Sequence, residues 1–233
     1  MTIAIMQPYF MPYIGYWQLI NAVDQFVVYD DIEFTKKGWI HRNRILQNGK
    51  DVLFTLPLKK DSDFLPIMKR SLAFSFAEDS VKILRKIEAA YRKAPFYKEV
   101  MPLVEECVSY NDRNLFNYIY NSINKICEYL EIQTPIIKSS TLAYNSDLKA
   151  QNKVLNICDV CAADIYINAI GGEGLYDRET FRQNGIDLKF HKMNYFEYAQ
   201  FNDPFVPFLS IVDVIMFNTV EEVRDLLKAF ILV

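Results

Sequence analysis

The sequence predicts an α/β fold with a mostly parallel sheet, interrupted by a β-hairpin and by an all-helical insertion. Three observations predict it. A short β-branched, apolar run at Thr2–Gln7 is followed within about 20 residues by a helical pattern and a second apolar run, Phe26–Tyr29, which is the spacing of a βαβ unit. Asn48-Gly49 sits between two alternating runs, the strongest short-range hairpin signal. From Phe76 to Ile132 apolar residues recur at three- and four-residue spacing almost without a break.

Taken in order, TIAIMQ reads as a buried strand ended by Pro8. Pro8 and Pro12 bracket an aromatic loop, and Gly15 opens a helix whose Trp17, Leu19, Ile20 and Val23 suit packing on a sheet. FVVY is the second strand, ending in Asp30-Asp31. The hairpin is expected over about residues 39–58. Strand alternation puts Trp39, His41, Asn43 and Ile45 on one face and Ile40, Arg42 and Arg44 on the other. The insertion is expected over about residues 76–132, with Pro95 and Pro102 at breaks or first turns, and Asp79 and Asn111 or Asp112 as N-caps. The sheet then resumes with Thr134–Lys138, a helix over Leu148–Ala162 and a strand over Asp164–Ala169. A short helix over Asp177–Asn184, a last strand over Ile186–Met193 and a terminal helix over Val220–Phe230 follow. With no repeat, linker or low-complexity tract, residues 1–233 read as a single domain of the Rossmann-like kind.

Composition narrows the function classes. Hydrophobic residues make up 51% and charged residues 24%, the balance of a folded globular protein. A net charge of −3 argues against a nucleic-acid binder. No run reaches the roughly 20 apolar residues of a membrane helix, and the N-terminus shows no secretory pattern, so no membrane insertion and a cytoplasmic location are expected. Cys158 and Cys161 form C-x-x-C inside an apolar helical pattern, with no second Cys or His pair to complete a metal site. They are expected to be reduced helix cysteines, and no cofactor or metal is named by any motif.

Ligands of parallel α/β sheets sit beyond the carboxyl ends of the strands, so residues there are the first candidates. The loop from Gln7 through Tyr13 to Gly15 leads into a helix N-terminus, where free N–H groups favour anions. Asp30 and Asp31 follow the second strand. As strand neighbours they should point opposite ways, so only one should join Gln7. Lys37 and Arg44 suit phosphate or carboxylate. His41 is one of two histidines and is surrounded by polar residues. Asp30, His41 and Lys37 are therefore the candidates for chemistry, with His41 the natural general base. His191 is expected to be structural. Ser139, Ser140, Asn168, Gly171, Gly172 and Tyr176 follow later strands and read as binding groups. Three of the seven glycines fall within residues 171–174, which marks backbone needing positive φ or close approach.

Two resemblances follow from these residues. Tyr13-Ile14-Gly15-Tyr16 after a strand and loop, with Ser139-Ser140-Thr141 after a later strand, resembles the layout of nucleotidyltransferases and pantothenate-synthetase-like ligases, with tyrosines where that motif has histidines. The whole chain, through MQPYFMPYIGYWQLI, VVYDDIEFTKKGWIHRNRI, KSSTL, INAIGGEGLYD and LSIVDVIMFN, resembles the WbqC-like proteins. That resemblance implies a bacterial protein associated with O-antigen or other surface-polysaccharide biosynthesis. Gln7, Pro8, Tyr9, Asp30, Asp31, Lys37, Trp39, Asn43 and Arg44 fall in its most distinctive block. The expected function is a transferase or ligase acting on a nucleotide-linked amino sugar, by acyl or aminoacyl transfer. A nucleotide-dependent ligase or nucleotidyltransferase, and a non-catalytic glycan-pathway binding protein, are the alternatives. A nucleotide sugar or other phosphorylated metabolite is the expected partner, and a homo-oligomer is left open.

Overall fold

Ile3, Ala4 and Ile5 form the fully covered middle of strand β1, Thr2–Met6, and they divide the molecule into two layers. Ala4 faces one apolar cluster while Ile3 and Ile5 face the other, the arrangement of a strand buried on both faces. The computed structural model describes residues 1–62, 64–201 and 203–233.

Helix α1, Ile14–Asn21, is buried along nearly its whole length and is followed by β2, Gln25–Val28. The hairpin is β3, Arg42–Gln47, and β4, Lys50–Thr55. Its turn holds Asn48 at φ 53 and Gly49 at φ 70, the left-handed pair that a two-residue hairpin turn demands. The insertion is α2, Phe76–Tyr91, α3, Tyr97–Val108, and α4, Leu115–Tyr129. After it come β5, Ile136–Lys138, and α5, Ala150–Val160. Then follow β6, Ile165–Ala169, α6, Arg178–Gln183, and β7, Asp187–Met193. The chain closes with α7, Ile211–Phe217, α8, Val220–Leu226, and β8, Phe230–Leu232.

The main sheet has the order β5-β2-β1-β6-β7-β8, and the hairpin forms a separate two-stranded sheet. Every pairing from β5 to β7 is parallel, and β8 alone runs antiparallel at the edge. This is the Rossmann-like layout expected from the sequence. Successive strands β1, β2 and β5 build outward one way, and β6, β7 and β8 the other, so the winding reverses between β1 and β6.

Several expectations need correction. The terminal helix expected over Val220–Phe230 stops at Leu226, and Phe230 instead begins a strand, residues 230–232, that pairs with the open edge of β7. The α4 cap is Asn114, which accepts from the Asn117 N–H at 3.0 Å; Asp112 supports it by accepting from the Asn114 N–H at 2.8 Å. Asp79 lies within α2 and accepts from the Ser75 hydroxyl at 2.7 Å. Pro102 stands inside α3 on its exposed side, where the carbonyl it leaves unpaired can meet water. Cys158 is buried in α5 and free; burial pushes its thiol up to about 12. Among the described residues no helix is long and apolar enough to cross a membrane.

A crevice at the sheet switch point

The reversal between β1 and β6 leaves a crevice beyond the strand carboxyl ends, as such sheets require. Its volume is about 730 Å³. Gln7, Tyr9, Tyr13 and Gly15 form one wall; Asn168, Gly171, Gly172 and Tyr176 form the other; Trp39 closes one side. These nine residues were singled out from the sequence, and the topology brings them together. A smaller chamber of about 140 Å³ shares Tyr9, Tyr13, Trp39 and Phe208 with the crevice and adds Pro12, Asn43 and Arg44.

The aromatic loop between β1 and α1 is fastened from two directions. Met11 holds a left-handed φ of 45, and its carbonyl accepts from the Asn43 amide and from the Ser210 hydroxyl, each at 2.7 Å. The Pro12 carbonyl accepts from the Trp17 indole at 3.1 Å and from the Ile211 N–H at 2.9 Å. Buried Pro8 starts the loop. Asn43 is thus mainly a clamp on this loop, 4% exposed, although it also touches the chamber. The Tyr16 hydroxyl donates to the Gln7 carbonyl at 3.1 Å. Burial pushes the Tyr9 phenol up to about 12 and lifts those of Tyr13 and Tyr16, so these hydroxyls remain protonated donors at neutral pH.

At the α1 N-terminus the Tyr13 ring packs over Gly15, which itself lines the crevice. A Cβ on Gly15 would lie 2.4 Å from the Tyr13 ring, so Tyr13 occupies the space that the glycine leaves. The later glycines differ from expectation. Positive φ occurs at Gly49 and Gly185, not at residues 171–174. Gly172 is the close approach, since a Cβ there would meet the Asn168 amide at 3.1 Å; Gly171 and Gly174 face open space.

The hairpin block divides differently from simple alternation. β3 begins at Arg42, so residues 38–41 precede the strand and alternation starts late. Within β3, Asn43 and Ile45 turn inward and Arg42 and Arg44 outward, as expected. Trp39 joins the arginines instead: the guanidinium of Arg44 lies 4.9 Å and that of Arg42 5.5 Å from its ring centre. Ile40 is fully buried rather than sharing their face. Arg44 pairs with Asp51 at 3.0 Å, and its Nε is buried without a partner. Lys37 is exposed, and its carbonyl accepts from Arg42. His41 does not line the crevice. Its ring packs 5.1 Å from Phe34, and burial, then Arg42 and Arg70, lower its pKa to about 4.

Asp30 and Asp31 lie past the end of β2, which frees both carboxylates to turn the same way, contrary to strand alternation. Neither lines the crevice. Asp30 is 1% exposed and accepts from the Ser139 hydroxyl at 2.9 Å, the Ser140 N–H at 2.9 Å and the Ser140 hydroxyl at 2.7 Å. Asp31 is in reach of the same Ser139 hydroxyl at 2.6 Å, accepts from the Tyr144 hydroxyl, and meets Lys153 at 3.6 Å. This clasp joins the ends of β2 and β5.

Sequence reasoning missed Tyr29, Leu175, Lys192, Tyr195 and Phe208 as crevice residues. Tyr29 and Lys192 sit at strand carboxyl ends, so the rule that found Gln7 and Asn168 applies to them as well. His191, expected to be structural, is 2% exposed with its ring 4.7 Å from Phe230, yet it also forms part of the crevice wall. Among the described residues no Asp or Glu lines the crevice or chamber, while Lys192 and Arg44 do. In a chain of net charge −3, this lining is locally more positive than the chain as a whole.

Comparison with known proteins agrees with the residue blocks noted above. The chain is 28% identical to the uncharacterized protein Rv1507c of Mycobacterium tuberculosis over 228 residues, covering 97% of each chain. No solved structure matches it. Residues 7–225 match the WbqC-like protein family, and the chain belongs to that family.

Proposed function

We propose that the chain is a cytoplasmic transferase or ligase of surface-glycan assembly that takes a nucleotide-linked amino sugar into this crevice. The single observation that carries the reading is a switch-point crevice with protonated tyrosine hydroxyls, no carboxylate in its wall among the described residues, and Arg44 and Lys192 beside it. Phosphates suit Arg44, whose guanidinium is held in place by Trp39 and Asp51. Sugar hydroxyls suit Gln7, Asn168 and the tyrosine hydroxyls. Asp30 acts through the clasp, by fixing the strand end that carries Tyr29.

A specific observation favours a second reading, a non-catalytic binding protein of the same pathway: Asp30 and His41 both lie outside the crevice wall. A nucleotidyltransferase-type reaction, with phosphates at the α1 N-terminus, would have to share that place with the Tyr13 ring, which packs over Gly15.

Thermal-shift and calorimetric binding of a nucleotide and nucleotide-sugar panel tests the proposal. Stabilisation by a nucleotide sugar, weakened about tenfold or more in Arg44→Ala, is the expected result. No stabilisation by any panel member sinks it. Binding without turnover of amino-sugar nucleotides supplied with acyl donors selects the second reading.

A further inference from the structure

The rim of the crevice has a character that a nucleotide sugar alone does not use. Leu175 is 71% exposed, Tyr195 75%, Phe208 57%, Trp39 39% and Ile170 37%, and all five line this one opening. They arrive from four separate places: the turn after β6, the residues after β7, the long connection into α7, and the loop before β3. A single exposed apolar side chain is ordinary, but a convergent set around a cleft marks a surface built to be covered. Phe208 adds an independent sign. It holds a left-handed φ of 58, a conformation unfavourable for a bulky residue, and gains no burial in exchange.

The interior and the rim therefore ask for two different things in one ligand. Among the described residues no carboxylate lines the crevice or the chamber, Arg44 lines the chamber and the exposed Lys192 lines the crevice, while the five rim side chains above are apolar or aromatic. We propose, resting on the anion-binding reading of the crevice, that one of its natural ligands is a phosphate or diphosphate ester of a long-chain alcohol. The head lies in the crevice, and the chain runs out over Leu175, Tyr195 and Phe208. Isoprenoid and fatty chains share this chemistry.

The test uses the purified full chain and probes kept below their aggregation concentrations: inorganic diphosphate, farnesyl diphosphate, dodecyl phosphate and inorganic phosphate. Calorimetry is expected to show each chain-bearing probe binding about tenfold or more tighter than its chain-free counterpart, since burying a few methylenes suffices for that gain. The larger of the two gains, farnesyl diphosphate over diphosphate or dodecyl phosphate over phosphate, identifies the chain. In Leu175→Ser and in Tyr195→Ser the ratio of the two affinities should fall toward one. Both residues are so exposed that neither change should unfold the chain. Equal affinity with and without the chain overturns the inference while leaving the anion-binding reading intact. Failure of every anion to bind overturns both. Concentration-dependent self-association abolished by the same variants, with no chain preference, overturns the inference and assigns the rim to a second copy of the chain.

Discussion

Replacing Tyr91 by Phe should destabilise the fold by about 3–5 kcal/mol, far more than loss of one ordinary hydroxyl. The Tyr91 hydroxyl is wholly buried at the junction of the hairpin, the helical insertion and α7. It accepts from the Leu46 N–H at 2.9 Å and donates to Asp213 at 2.8 Å. Asp213 also accepts from the Tyr198 hydroxyl at 2.5 Å and the Gln200 amide at 2.6 Å, so it anchors the connection that carries Tyr195 and Phe208 to the crevice rim. Removing the hydroxyl orphans a buried N–H, worth about 1–3 kcal/mol, and deletes a bond to a carboxylate, worth about 1.5–3 kcal/mol. Tyr118→Phe is the control, since its hydroxyl makes a single bond to the Val108 carbonyl at 2.8 Å and should cost about 1 kcal/mol. The pH dependence carries a sign as well. Burial raises the Asp213 pKa to about 6, and its bond from Tyr91 pulls that value down, so the variant raises it further. A folded pKa above the ordinary 3.8 means that this group favours folding increasingly as pH falls through about 6 toward 3.8. Urea denaturation of both variants at pH 7 and pH 5 measures this, and the Tyr91→Phe deficit should shrink at pH 5. Equal losses in the two variants at pH 7 would refute the network reasoning.

Three further outcomes are expected. Asp30→Ala removes an acceptor of three hydrogen bonds and should cost about 2–4 kcal/mol, with hydrogen exchange rising first in Ile136–Lys138; an unchanged β5 exchange rate contradicts the clasp. His41 is lowered to about 4 from 6.5, so its contribution is whole above 6.5 and lost as pH falls toward 4; the urea midpoint should drop less over that window in His41→Gln than in the parent, and an identical drop would exclude His41 as the cause. Gly15→Ala forces the Tyr13 ring aside by its flexible end, so stability should change by less than about 1 kcal/mol while affinity of the crevice for inorganic diphosphate changes about threefold or more; unchanged affinity would show that the position of the Tyr13 ring does not bear on anion binding.

Much of the fold was legible because its signals are local. Buried β-branched runs, Asn48-Gly49 and the three- and four-residue periodicity of the insertion each express a backbone preference within a few residues. The strand carboxyl ends then located Gln7, Asn168 and Gly172 without further information. What escaped depends on where strands stop and on distant partners. Asp30 and Asp31 look like alternating strand residues, but β2 ends at Val28, and both reach Ser139, more than 100 positions away. Lys153 reads as one more polar residue on a helix, and only folding brings it to Asp31. Phe230 reads as the end of a helical pattern, and with the two residues after it becomes a strand because β7 presents an unpaired edge. His41 looks reactive among polar neighbours in the chain, yet its spatial neighbours are Phe34 and Arg70.

The central claim is that an anionic ligand enters the switch-point crevice, and amide chemical-shift mapping during titration with UDP-N-acetylglucosamine tests it most directly. The account predicts shifts concentrated in residues 7–16, 39–44, 168–176 and 191–193. Shifts concentrated instead in the open groove around Asn156, Asp159 and Asn184, or spread without pattern, would contradict it.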